Sequence, residues 1–189
     1  VAMHEERSRP ARGAAALSRR GLLAGAAAAL ALLQAGPLLA APSREAVAEA
    51  LAALPERELI VYQAQGQRRH TITVFTDVRC PYCRALHRNL QAYREAGIRV
   101  RYAAFPLSER SRRIMERVWC SDEPREALEW AMAGGEVQAA SCSDAPVAEH
   151  RRLGERIGVS GTPALVTPEG RVLGMLPLEE LLSLLSREE

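Results

Sequence analysis

The pattern that most constrains this chain lies in residues 70–105, where a strand-type run, a helix-type run and a second strand-type run follow one another. The first, HTITVFT at 70–76, is rich in β-branched residues. Residues 81–96 read as a helix, and Gly97 is placed to stop it. IRVRYAAF at 98–105 is the next strand. A strand, a helix and a strand in this order pack as a right-handed parallel crossover. That requires a sheet covered by helices, an α/β architecture.

The other segments extend this frame. LIVYQA at 59–64 reads as a strand, and the polar turn at 65–69 contains Gly66, so the first two strands are expected to form a hairpin. Helices are expected over 43–54, 110–120, 124–133, 147–157 and 178–186. Residues 164–167 and 171–175 form a hairpin around Pro168-Glu169-Gly170. The expected whole is one small central mixed sheet flanked by helices, with a helical insertion. Trp119 and Trp130 are expected in the core of that insertion, and the Arg110–Arg113 cluster on a solvated face. His87 reads as a surface or partly buried helix residue, and His70 and His150 suggest no role.

The first forty residues differ from the rest. Residues 22–41, LLAGAAAALALLQAGPLLAA, carry no charge and follow a segment with five arginines and two glutamates. A basic region, an apolar stretch and small residues before a polar start make an export signal, expected over 1–41 with cleavage after Ala40 or Ala41. Ser18-Arg19-Arg20-Gly21-Leu22-Leu23 resembles a twin-arginine (Tat) signal. The alternative is a retained anchor, since twenty uncharged residues just span a bilayer. Overall, 25 basic and 23 acidic residues leave a charge of +2, too little to argue for nucleic acid. The excess sits in the leader; the remainder is nearly neutral.

Chemistry is concentrated at Cys80-Pro81-Tyr82-Cys83, between a strand end and a helix start. A sulfur there faces unpaired N–H groups and the positive end of the helix dipole, which stabilise a thiolate. Cys80 is the expected nucleophile. Cys83, one turn later, is the expected resolving thiol, and Pro81 and Tyr82 tune the redox balance. Arg79 and Arg84 flank the motif and can lower the Cys80 pKa by proximity. Taken alone, C-x-x-C is also half of a zinc site or a structural bridge. Zinc needs two more ligands, and Cys120 and Cys142 lack a metal-site grouping, so no metal is expected.

The segments LIVYQA, TITVFTDVRCPYC, GIRVRYAAFP, VWC at 118–120, AMAGG and LGERIGVSGTPALV together resemble the thioredoxin superfamily. Within it they resemble the catalytic domain of periplasmic disulfide isomerases of the DsbC/DsbG type. The resemblance implies a thioredoxin-like catalytic domain over 58–189, preceded by a linker helix in 42–57. It implies a cis Pro163 beside the active-site pair, where the residues alone favour an ordinary turn proline before a strand. Thr162 would pair through its backbone with the substrate chain. It also implies a structural disulfide between Cys120 and Cys142, which the residues alone leave open as two free cysteines. No cofactor is implied beyond the Cys80–Cys83 pair.

The implied activity is thiol–disulfide interchange on periplasmic proteins, with a DsbD-like membrane thiol donor as reductant and no nucleic acid. The family isomerases carry an N-terminal dimerisation domain. Here only residues 42–57 lie between the expected cleavage site and the catalytic domain, so the oligomeric state stays open. Val47, Leu51 and Leu54 form either an oligomer seam or the packed face of a connector helix. Two further readings remain: a dedicated thiol reductase for one client, and a non-enzymatic peptide-binding chaperone module.

Overall fold

The computed structural model describes residues 41–138 and 142–188. The expected export signal therefore lies outside the described residues, apart from Ala41. Helix α1 spans Arg44–Ala52. Then come β1 (Ile60–Tyr62), β2 (His70–Thr76), α2 (Pro81–Arg88), α3 (Leu90–Glu95) and β3 (Ile98–Ala104). Helices α4 (Glu109–Trp119), α5 (Pro124–Met132) and α6 (Val147–Arg156) follow, then β4 (Ala164–Val166), β5 (Val172–Leu173) and α7 (Leu178–Leu185).

The sheet order is β1-β3-β2-β4-β5. Strands β2 and β3 run parallel across seven aligned pairs, from His70 beside Ile98 to Thr76 beside Ala104. The expected hairpin of the first two strands does not form. β1 pairs with β3 instead, antiparallel, with Ile60 opposite Tyr102. Two strand spacings, about 10 Å, separate β1 from β2. The seven-residue link 63–69 covers that distance. Its backbone is held at the α3–β3 corner, where Gln65 N–H donates to Arg94 C=O and Arg69 N–H to Gly97 C=O. The predicted hairpin of β4 and β5 is present.

Alternation along the strands divides the core in two. Ile72 and Val74 of β2 and Val100 and Tyr102 of β3 pack with Leu86, Tyr93, Met115, Leu128 and Leu181. Phe75 and Ala103 pack in the other cluster, with Val47 and Leu51 of α1 and Leu153 and Ile157 of α6. Because both faces are covered, β2 has no solvent side. Its buried Thr73 accepts from Arg101 Nε and Nη2 on the paired strand, at 3.1 and 2.7 Å.

The helix expected over 81–96 is two helices. Asn89 breaks it in a near-bridge conformation (φ −93°, ψ 6°), and its side chain competes for local hydrogen bonds better than it supports helix. Ser43 caps α1 by accepting from Ala46 N–H at 3.2 Å. Val47 and Leu51 are buried against their own domain, so those two positions of the proposed oligomer seam are already covered. The turn after β4 sits tightly on this helix: a Cβ at Gly170 (φ +80°) would fall 1.8 Å from Arg44 O. Trp130 is another departure. It is 59% exposed, not in the core. Its ring lies over Gly135, and its N–H donates to Glu136 C=O at 3.1 Å. Trp119 is partly buried and bonds Glu58 C=O at 2.8 Å.

Candidate active site

The β2 backbone delivers Cys80 to the start of α2. Cys80 occupies the N-cap position (φ −70°, ψ 123°) and Pro81 the first turn, where its missing N–H costs nothing. The N–H groups that remain in that first turn have no intrahelical partner. Cys80 and Cys83 both carry free thiols; Cys80 is part-exposed and Cys83 buried. Tyr82 is 66% exposed beside them.

The two thiols are electrostatically unequal. Burial pushes the Cys80 thiol up, but the Cys83 backbone N–H, the Thr162 side chain, the Cys83 thiol and the Tyr82 backbone N–H outweigh it, and the net shift is downward. Burial pushes Cys83 up to about 11, against an opposing contribution from Asp77 N–H. That N–H lies 3.4 Å from Cys83 Sγ. The arginines suggested from sequence are not the main cause of the Cys80 shift. Arg84 Nε is engaged by Val78 C=O at 2.7 Å.

The loop before β4 completes the site. Cys80 Sγ lies 3.3 Å from Thr162 O and donates to it. The Thr162–Pro163 peptide bond is cis. A groove of about 500 Å³ runs from Tyr82 past Ser160, Thr162 and Pro163 to Met175. Tyr82 and Met175 are its exposed apolar side chains, 66% and 43% accessible. The six predicted active-site and substrate-loop residues are thus brought together. Cys120 and Cys142 lie apart from them, joined in a disulfide with Cα atoms 5.6 Å apart. It ties the end of α4 to the segment leading into α6.

Sequence reasoning underrated Asp77. It is 1% exposed, and its carboxylate accepts from Arg79 N–H and Leu107 N–H, both at 2.7 Å. It thereby pins the turn that presents Cys80 to the chain leaving β3. An acid at the end of an apolar strand, just before the motif, was the available signal. His87 is half-buried, with Nδ1 3.2 Å from Tyr102 Oη, and burial lowers its pKa. It does not touch either thiol within hydrogen-bonding distance. Among the described residues, no group of three or more His, Cys, Asp or Glu is placed to hold a metal ion.

Strand, cysteine-bearing helix start and the facing Thr162–Pro163 loop agree with the family comparison, in which residues 55–188 match the thioredoxin-like domain. The chain belongs to that family. Among its thioredoxin-like relatives, the thiol:disulfide interchange protein DsbC of Salmonella typhimurium is 46% identical over 121 residues, covering 62% of this chain and 50% of the relative. DsbC of Escherichia coli is 42% identical over 138 residues, 71% of this chain and 58% of the relative. The chain thus spans little more than half the length of these relatives. A disulfide interchange protein from Neisseria gonorrhoeae superposes with a TM-score of 0.60 at 28% identity, covering 71% of this chain and 97% of that one.

Proposed function

We propose that this chain is an exported thiol:disulfide interchange enzyme of the isomerase type, acting on cysteines of periplasmic proteins. The observation that carries this reading is the contrast between the paired thiols: Cys80 part-exposed and shifted toward thiolate, Cys83 buried and pushed up to about 11. A thiolate is the attacking species in interchange, and a low-pKa sulfur is also a good leaving group.

In the reducing direction, the Cys80 thiolate attacks one sulfur of a substrate disulfide. A Cys80–substrate bond forms, the substrate bond breaks, and the departing sulfur leaves with the electron pair and takes up a proton. Cys83 then gives up its proton and attacks Cys80 Sγ. The pair becomes a disulfide, and the substrate leaves with both sulfurs reduced, two electrons richer. In isomerisation a substrate thiolate attacks the mixed disulfide in place of Cys83 and returns Cys80 to the thiolate. The backbone at Thr162 offers the substrate strand-like hydrogen bonds that depend little on its sequence.

A DsbD-like membrane thiol donor restores the dithiol after each reduction. The Cys120–Cys142 disulfide supports an oxidising compartment, in keeping with a Tat-type export signal in residues 1–41. No helix among the described residues is long and apolar enough to cross a membrane. The deciding experiment is thiol alkylation of the Cys80–Cys83 pair in cells. A mostly reduced pair supports isomerase or reductase work; a mostly oxidised pair overturns it in favour of an oxidase.

A further inference from the structure

A second cleft opens at Arg79, the residue before Cys80, with a chemistry unlike that of the Thr162 groove. It encloses about 500 Å³ and shares no lining residue with that groove. Arg79 and Arg84, on either side of the cysteine motif, are among its lining residues. Arg110, Arg113 and Arg117 of α4 line the wall. Their spacing puts the three α4 residues along one helix face. Glu136 is the one carboxylate among the described lining residues.

Two of the guanidinium groups are anchored through backbone carbonyls, Arg84 by Val78 at 2.7 Å and Arg117 by Val137 at 3.5 Å. Neither bond neutralises charge. Arg113 shares Glu109 at 3.1 Å, outside the lining. The side chains of Arg79 and Arg110 have no hydrogen-bond or ion-pair partner among the described residues. Like charges gathered in one concavity repel each other and raise the local concentration of anions.

The length of the cleft says what kind of anion. From Arg110 to Arg117 the helix rises about 10 Å, the reach of about three residues of extended chain. One carboxylate covers one end only. Arg79, a lining residue, directly precedes Cys80 in the chain, so the cleft adjoins the segment that carries the reacting sulfur.

We propose that this cleft binds an acidic peptide segment, two or three Asp or Glu side chains close to the reacting cysteine of a protein partner. The proposal rests on the interchange reading, since it names the substrate class that the Cys80 site prefers.

The test uses the full chain and two pairs of peptides. The first pair lacks cysteine and differs only in carrying three Glu or three Gln; binding is followed by fluorescence anisotropy at low and at 200 mM salt. The Glu peptide is expected to bind about tenfold more tightly at low salt, as three exposed ion pairs allow. The preference should collapse at high salt and in the Arg110→Gln/Arg117→Gln variant. Equal binding of both peptides, or a preference that survives the double substitution, overturns the proposal. So does competition by glutathione as effective as that by the Glu peptide.

The second pair carries a disulfide flanked by Glu or by Gln, and the ratio of kcat/KM is read. A ratio of about ten that falls toward one in the double variant supports the cleft. A ratio of one, with the Gln peptide reduced normally, sinks the cleft and leaves the interchange reading standing. Failure to reduce either peptide sinks the interchange reading, while the cysteine-free pair still decides the cleft.

Discussion

Cys80 Sγ meets the carbonyl oxygen of Thr162 at 3.3 Å, across 82 residues of sequence. The contact places the exposed thiol against the backbone edge that a substrate chain would use. In the interchange reaction proposed above, attack by Cys80 and docking at Thr162 therefore concern the same few ångströms.

Cys80 is expected to be alkylated by iodoacetamide with a pH midpoint below the roughly 8.5 of a free cysteine. In the Cys80→Ala variant, insulin reduction and refolding of scrambled ribonuclease should both disappear. The Cys83→Ala variant should instead accumulate mixed disulfides through Cys80. Retained activity without Cys80 rules out its role as nucleophile.

The depressed Cys80 pKa also makes the reduced protein pH-sensitive. Its stabilising contribution is present above the unfolded-state thiol pKa and is lost as pH falls through the lower folded-state value. The oxidised protein lacks this titration. The denaturation midpoint of the reduced form should therefore fall relative to that of the oxidised form as the pH is lowered through that window, and a constant difference contradicts the thiolate assignment.

His150 carries a second pH signature. It is fully buried, its Nδ1 accepts from Ala104 N–H at 3.2 Å, and its Nε2 has no partner among the described residues. Burial lowers its pKa to about 4. The unfolded chain then binds the proton better, so stability falls as pH drops below about 6.5, by about 2 kcal/mol at pH 5. Urea titrations at pH 7 and pH 5 measure this slope. In a His150→Gln variant the slope should flatten, and an unchanged slope assigns it elsewhere.

Replacing Cys120 and Cys142 together by alanine should cost about 3 kcal/mol of stability, from release of a loop with separation 22. Insulin reduction at 25 °C should persist, since the bridge touches neither thiol of the active pair. Loss of activity in a variant that still folds contradicts a purely structural role.

Gly170→Ala should destabilise by more than about 1 kcal/mol, because the position combines positive φ with contact against Arg44 O. Thermal unfolding measures it. A neutral result contradicts the close docking of this turn on α1.

Several of these features were legible along the chain because their causes are local. The β-branched run 70–76, the helix stop at Gly97 and the placing of Cys80 at a helix start all depend on residues within a turn or two of one another. The pairing of β4 with β5 was likewise visible in its short Pro-Glu-Gly turn. The inequality of the two thiols could be anticipated in direction from the helix dipole alone.

Partners distant in sequence were decided by packing. β1 lies beside β3, not β2, because β2 is the central strand, already flanked by β3 and β4. Trp130 sits outside because Gly135 leaves a surface for its ring. Asp77 acquires its role from Leu107, delivered by the strand next door. The arginine cleft exists because α4 folds its charged face beside Arg79 and Arg84, which no spacing along the chain reveals. Sequence by itself determined where the reactive sulfur would stand, since helix starts and their dipoles are built from neighbouring residues. Only the tertiary structure decided what faces that sulfur, because the Thr162 loop reaches it through the packing of the sheet and its helices.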